Sequence, residues 1–188
     1  MRWKLFLLLV LLVPCWVIAA GYDIDLVNLY AAAQFANQDL SRIYATNGSL
    51  GRFFYGPISI VFLKPLGNFS YETVKWFWIC LQTVSYAIFW FGLHRLYPIL
   101  GRRVLPWIVV FIMAINPIHN NYQSNNIQLM LAAVLVLAEI FTFSLSPFLL
   151  FTAGVLCALT ATVKMFPLFL VAYYFFAKPR MVRFGLIA

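Results

Sequence analysis

Apolar residues in this chain fall in long blocks with few polar interruptions. They show neither the alternation of a half-buried strand nor the narrow stripe of a soluble helix. From Leu5 to Ala20 no charged side chain breaks the run, and a block of that kind predicts a membrane helix. A second block covers Tyr71 to Leu93, with Ser70 placed as its N-cap and Glu72 in its first turn. A third, Val104 to Ile115, is short for a crossing, and Asn116-Pro117 is expected to end it. A fourth runs from Ile127 to Phe143. Ser146-Pro147 then turns the chain into a fifth, which reaches Val163. After Lys164, an apolar stretch from Phe166 to Phe176 leads to Lys178, Arg180 and Arg183. The expected fold class is an all-α polytopic membrane protein with about five to six membrane helices. Residues 1–188 are read as a single transmembrane domain.

Residues 21–70, between the first two blocks, are too long for a simple connector. They are expected to form an outer loop with interfacial helices. Leu26 to Asn37 favours helix, with Leu26, Leu29, Tyr30, Ala33 and Phe35 giving an apolar side. Thr46 to Arg52 is rich in turn formers. Pro57 to Leu66 is apolar but short, which suits a segment dipping into the membrane surface.

Charge then orients the threading. Arg2, Lys4, Arg95, Arg102, Arg103, Lys178, Arg180 and Arg183 fall on one side with no acid among them. The other side holds Arg42, Arg52, Lys64, Lys75 and Lys164 together with Asp23, Asp25, Asp39 and Glu72, and Glu139 lies within a block. By the positive-inside rule the first side, and the N-terminus, are cytoplasmic. The start also fits a secretory leader, with basic residues, an apolar run and Ala19-Ala20. The further spans favour an uncleaved first helix.

Composition agrees. The 188 residues are 64% hydrophobic, 19% aromatic and 10% charged, with a mean hydropathy of +0.91. A net charge of +8 sits beside apolar runs and forms no stripe for nucleic acid, so the bilayer is the expected partner. Cys15, Cys80 and Cys157 all lie in apolar runs and suggest neither disulfides nor a metal site. Nucleotide-cradling and hydrolase motifs are absent, and no cofactor is expected.

Candidate chemistry concentrates at the outer face. Two of the five acids, Asp23 and Asp25, lie within three positions of each other. The segment His119 to Asn126 is unusually polar, and Lys164 interrupts an apolar run. The threading brings Asp25, that segment and Lys164 to the same side. A carboxylate, amides and a cation on an apolar wall suit an amphiphile with a lipid tail and a charged, hydroxylated head. Each residue also has a structural reading. Asp25 fits an N-cap of the Leu26 helix, His119 alone is a weak metal ligand, and Lys164 fits a snorkelling residue. Asn125, Gln128, Ala132, Leu135 and Glu139 share one helical face, which suits either interhelical hydrogen bonds or a polar lining.

Several short motifs, in order, resemble one family. They are Asp25-Leu26 with Tyr30-Ala31-Ala32, Tyr44, Phe54-Tyr55-Gly56-Pro57, Pro65-Leu66 and Trp76. Asn116-Pro117, Gln123-Ser124-Asn125, Ala153-Gly154 and Lys164-Met165-Phe166-Pro167 follow. Together they resemble glycosyltransferase family 87, the polyprenol-phosphate-mannose-dependent α-mannosyltransferases of the GT-C superfamily. The chain is similar to the N-terminal half of such enzymes. In place of the family's Gly-Gln this chain has Tyr122-Gln123.

The resemblance implies a partial GT-C helical bundle in a bacterial plasma membrane. It also implies transfer of a sugar, mannose, from a polyprenyl-phosphate donor to a lipid or glycan acceptor, with inversion, on the outer face. Asp25 is then the general base. Tyr30, Tyr55, His119, Gln123, Asn125 and Lys164 are the expected substrate-binding set, with Lys164 set to neutralise the departing phosphate. The alternatives are a non-catalytic membrane protein that binds or transports a lipid-linked saccharide, and an inactive fragment.

Overall fold

The computed structural model describes residues 2–21, 24–38, 57–144 and 146–163. They are helical, with no strand among the described residues. Helix α1 is Arg2–Gly21 and α2 is Ile24–Gln38. The two meet at a sharp break, bent by 54°. Helix α3, Pro57–Leu63, runs into a 3-10 turn at Lys64–Asn68. Helix α4 is Tyr71–Leu96, α5 is Pro98–Arg102 and α6 is Val104–Ser124. Helices α7, Gln128–Thr142, and α8, Pro147–Val163, complete the described chain.

Two of these helices, α4 and α6, are long and apolar enough to cross a membrane, or three segments if the bent α1–α2 pair counts as one. At about 1.5 Å per residue, α7 spans about 22 Å against about 30 Å of hydrocarbon. Helix α7 therefore falls below the length expected of a full span, and α8 has 17 described residues. Among the described residues, this is fewer crossings than the hydropathy blocks suggest. The exposed faces fit a bilayer. Trp76, Phe77, Val84 and Phe91 of α4 and Leu105, Ile112 and Met113 of α6 are all exposed. Such patches are a liability in water and ordinary against lipid.

Ser70 caps α4 as expected: its side chain accepts from the Thr73 backbone N–H, and Glu72 lies in the first turn. The expected end of the third block at Asn116-Pro117 is overturned, because α6 continues through Pro117 to Ser124. Proline removes one ladder donor and crowds the preceding turn, a cost that helices in apolar surroundings tolerate when neighbours satisfy the freed carbonyl. The polar segment His119 to Asn126 is therefore mostly the end of a helix and not a loop.

Packing follows residue size. Helix α7 lies between α4 and α8. Its crossing with α4 is so close at Gly92 that a Cβ there would sit 2.0 Å from Val136 Cγ1. Small residues Ala138, Ala153 and Cys157 form the core between α7 and α8, the usual device for close helix approach. Helix α1 lays Leu8, Cys15 and Ala19 into the same core as Ile79, Tyr86, Trp90, Ile118 and Tyr122. The 3-10 turn holds α2: a Cβ on Gly67 would lie 2.8 Å from the Ala33 carbonyl oxygen, and Asn37 Nδ2 donates to the Lys64 carbonyl at 3.2 Å.

Candidate functional site

The end of α1 and the starts of α2, α4 and α7 meet the end of α6 at one pole of the bundle. Arg95, Arg102 and Arg103 lie at the opposite ends of α4 and α6. Helix ends carry backbone groups with no intrahelical partner, and this pole satisfies them with side chains. Asn125 Nδ2 donates to the Ala19 carbonyl at 3.0 Å, and Lys75 Nζ donates to the Ala20 carbonyl at 2.7 Å. A cation at a helix C-terminus also complements the helix dipole.

The turn between α6 and α7 is the organising piece. Asn125 takes the left-handed conformation, φ 52° and ψ 42°, which asparagine tolerates better than most residues with a Cβ. Its N–H reaches the Tyr122 carbonyl at 3.3 Å and the Asn126 N–H reaches the Asn121 carbonyl at 2.9 Å. That pair of bonds is a Schellman closure. Side chains then lock the turn in place. Trp78 Nε1 donates to the Asn125 carbonyl at 2.9 Å, Gln82 Nε2 to Asn125 Oδ1 at 3.1 Å, and Asn121 Nδ2 to Gln82 Oε1 at 3.1 Å. Asn121 Oδ1 accepts the Leu129 N–H at 2.9 Å, near the start of α7. Gln82, Asn121 and Asn125 are all buried, so this amide network is a fully partnered one, the arrangement in which buried polar groups specify a geometry.

One residue further on, the turn reaches α2. Asn126 Nδ2 donates to Asp25 Oδ2. Its Oδ1 accepts the Gln128 backbone N–H at 3.2 Å. Asp25 is half-buried and occupies the first turn of α2, where a carboxylate is favoured by the helix dipole. It is not the N-cap expected from sequence, because α2 begins at Ile24. Asn125 and Asn126 thus pin the two sides of the α1–α2 break, one on each helix.

A cavity of about 600 Å³ adjoins this network, lined by Asn121 and Gln128 together with apolar residues that include Phe89, Ile118, Leu131 and Leu135. From Gln128 to Leu135 the lining follows α7 for about 10 Å.

The expected site residues divide. Asp25 does meet the His119–Asn126 segment, through Asn126 and not through Gln123, which is exposed. Asn125 is fully buried with its side chain committed to Gln82 and Ala19. Tyr30 donates its hydroxyl hydrogen to the Phe69 carbonyl at 2.8 Å, accepts from Gln34 Nε2 at 3.1 Å, and packs edge-on against Tyr71. It holds α2 to the start of α4. His119 is half-buried on α6, and among the described residues no three His, Cys, Asp or Glu side chains gather as metal ligands. Tyr55 and Lys164 lie outside the described residues. Sequence reasoning passed over Gln82, gave Lys75 only as an outer-side charge, and placed Asn121 and Asn126 only within the polar segment His119 to Asn126. Gln82 had a visible signal, an amide interrupting the apolar run of α4, because a polar side chain inside a membrane helix usually has a partner.

The described residues form an all-helical protein with at least two helices long and apolar enough to cross a membrane. The model for glycosyltransferase family 87 matches residues 53–188. The chain belongs to glycosyltransferase family 87 and is a membrane protein of the sugar-transferring class. Comparison with curated proteins and with solved structures found no match. The matched range contains the α6–α7 turn and stops short of Asp25.

Proposed function

We propose that this protein transfers a sugar, mannose, from a polyprenyl-phosphate donor to a hydroxyl of a lipid or glycan acceptor at the outer membrane face, with Asp25 as general base. The observation that carries this reading is the contact between Asp25 and Asn126 of the α6–α7 turn, a turn flanked by Asn121 and Gln128, which line a mostly apolar cavity. That combination suits a ligand with a polar head and a hydrocarbon tail.

The step balances simply. Asp25 takes the proton of the acceptor hydroxyl as that oxygen bonds to the anomeric carbon. The bond from that carbon to the phosphate oxygen breaks on the opposite face, and the phosphate leaves with the electron pair. Inversion follows from this single displacement. Lipid phosphate is a good leaving group, so one well-placed base suffices. Lys164 remains the residue proposed to neutralise the phosphate. The all-basic ends of α4 and α6 face the cytoplasm in this scheme, which puts Asp25 outside.

The test uses the full chain in liposomes with polyprenyl-phosphate mannose carrying a radiolabelled sugar, and an extract of membrane lipids as acceptor. Label should enter a new lipid product with wild-type protein and not with Asp25→Asn. Product formed at the wild-type rate by Asp25→Asn refutes the base. Donor crossing the bilayer with no product formed identifies a transporter instead.

A further inference from the structure

We propose that Asn126 is a positioning residue for the base, holding the Asp25 carboxylate in its working orientation. This rests on the assignment of Asp25 as base given above.

A carboxylate in the first turn of a helix is free to turn about its side-chain bonds, and a general base must hold one oxygen within hydrogen-bond reach of the proton it takes. Asn126 supplies the constraint. Its amide cannot be reversed, because Oδ1 is committed to the Gln128 N–H. The NH2 group therefore faces Asp25 and donates to Oδ2, which leaves the second carboxylate oxygen as the proton acceptor. Asn126 is itself fixed. Its N–H is bonded to the Asn121 carbonyl, and the preceding residue, Asn125, is buried and tied to α1 and α4. The position of Asp25 is thus set by a rigid turn built from α6 and α7, across a break in its own strand of chain. The family match covers the turn that carries Asn126 and stops short of Asp25.

Asn126 also helps start α7, so alanine is a poor probe. Asn126→Asp keeps the shape and the acceptor for the Gln128 N–H, but removes the donor and sets two carboxylates against each other. Asn126→Ser keeps a short acceptor and loses the reach to Asp25. In the liposome assay with polyprenyl-phosphate mannose, Asn126→Asp should lower kcat about 10- to 100-fold with donor KM changed by less than about twofold. Asn126→Ser should lower kcat about 10-fold. The double exchange Asp25→Asn with Asn126→Asp restores one donor and one acceptor. It should recover the thermal midpoint lost in Asn126→Asp while transfer stays at the level of Asp25→Asn.

Wild-type kcat in Asn126→Asp, with Asp25→Asn inactive, overturns the positioning role alone. Transfer regained by the double exchange also overturns it, since the base would then work from either position. Wild-type turnover in Asp25→Asn removes the base assignment and this proposal together.

Discussion

The two halves of the bundle are held by different physics. At the polar pole, Gln82, Asn121, Asn125 and Asn126 are linked through hydrogen bonds to one another, to helix ends and to Asp25. Toward the basic pole, Trp107 stacks on Phe111 with ring centroids 4.8 Å apart, Trp90 packs on both, and Tyr86 donates to the Leu8 carbonyl at 3.0 Å. Aromatic packing is strong but tolerant of small shifts. Hydrogen-bonded amides are directional, and each fixes its partner in angle as well as distance. A reaction needs the second kind of order around it, and a lipid-facing scaffold needs only the first. The contrast supports the proposal that the chemistry is organised at the polar pole.

Substitutions at each pole sharpen that contrast. The largest effect is expected from Asp25→Asn, which should cut transfer about 100- to 10,000-fold, the usual contribution of a general base, while the lost helix-dipole contact costs less than about 1 kcal/mol of stability. Asn125→Ala should follow. It strands the Gln82 amide and the Ala19 carbonyl and puts alanine in a left-handed conformation. The expected loss is about 4 kcal/mol of stability, read as a fall in the unfolding midpoint in detergent. Trp107→Ala should cost about 3 kcal/mol by opening a void in the aromatic cluster. Gly92→Ala should cost about 2 kcal/mol, since the added methyl meets Val136 and the α4–α7 crossing must spread. A smaller loss for Asn125→Ala than for Gly92→Ala would mean that the amide network is not what holds the pole.

Much of this architecture was legible in the sequence. The apolar blocks predicted the helices now seen as α1, α4, α7 and α8, and Ser70 announced the start of α4. Threading puts Asp25 and the polar segment on one side, and the structure brings them into contact through Asn126. The finer pairing was not legible. Asn116-Pro117 read as a stop because a proline signal is local, whereas its tolerance depends on the helices around it. Gln123, Asn125 and Asn126 are adjacent amides of similar chemistry. Only the left-handed turn at Asn125 decides that it faces inward to Gln82 and Ala19, that Asn126 faces Asp25, and that Gln123 is exposed. Lys75 read only as an outer-face charge; that it caps α1 was not legible, because the Ala20 carbonyl it serves belongs to a helix 55 residues away in the chain.

The most direct measurement compares transfer per folded molecule in Asp25→Asn and Trp107→Ala, reconstituted side by side and normalised to the folded fraction. Asp25→Asn should be fully folded and nearly inactive, while Trp107→Ala should be less stable yet turn over within about twofold of wild type per folded molecule. Activity retained in Asp25→Asn, or an inactive but well-folded Trp107→Ala, would contradict the assignment of chemistry to the polar pole.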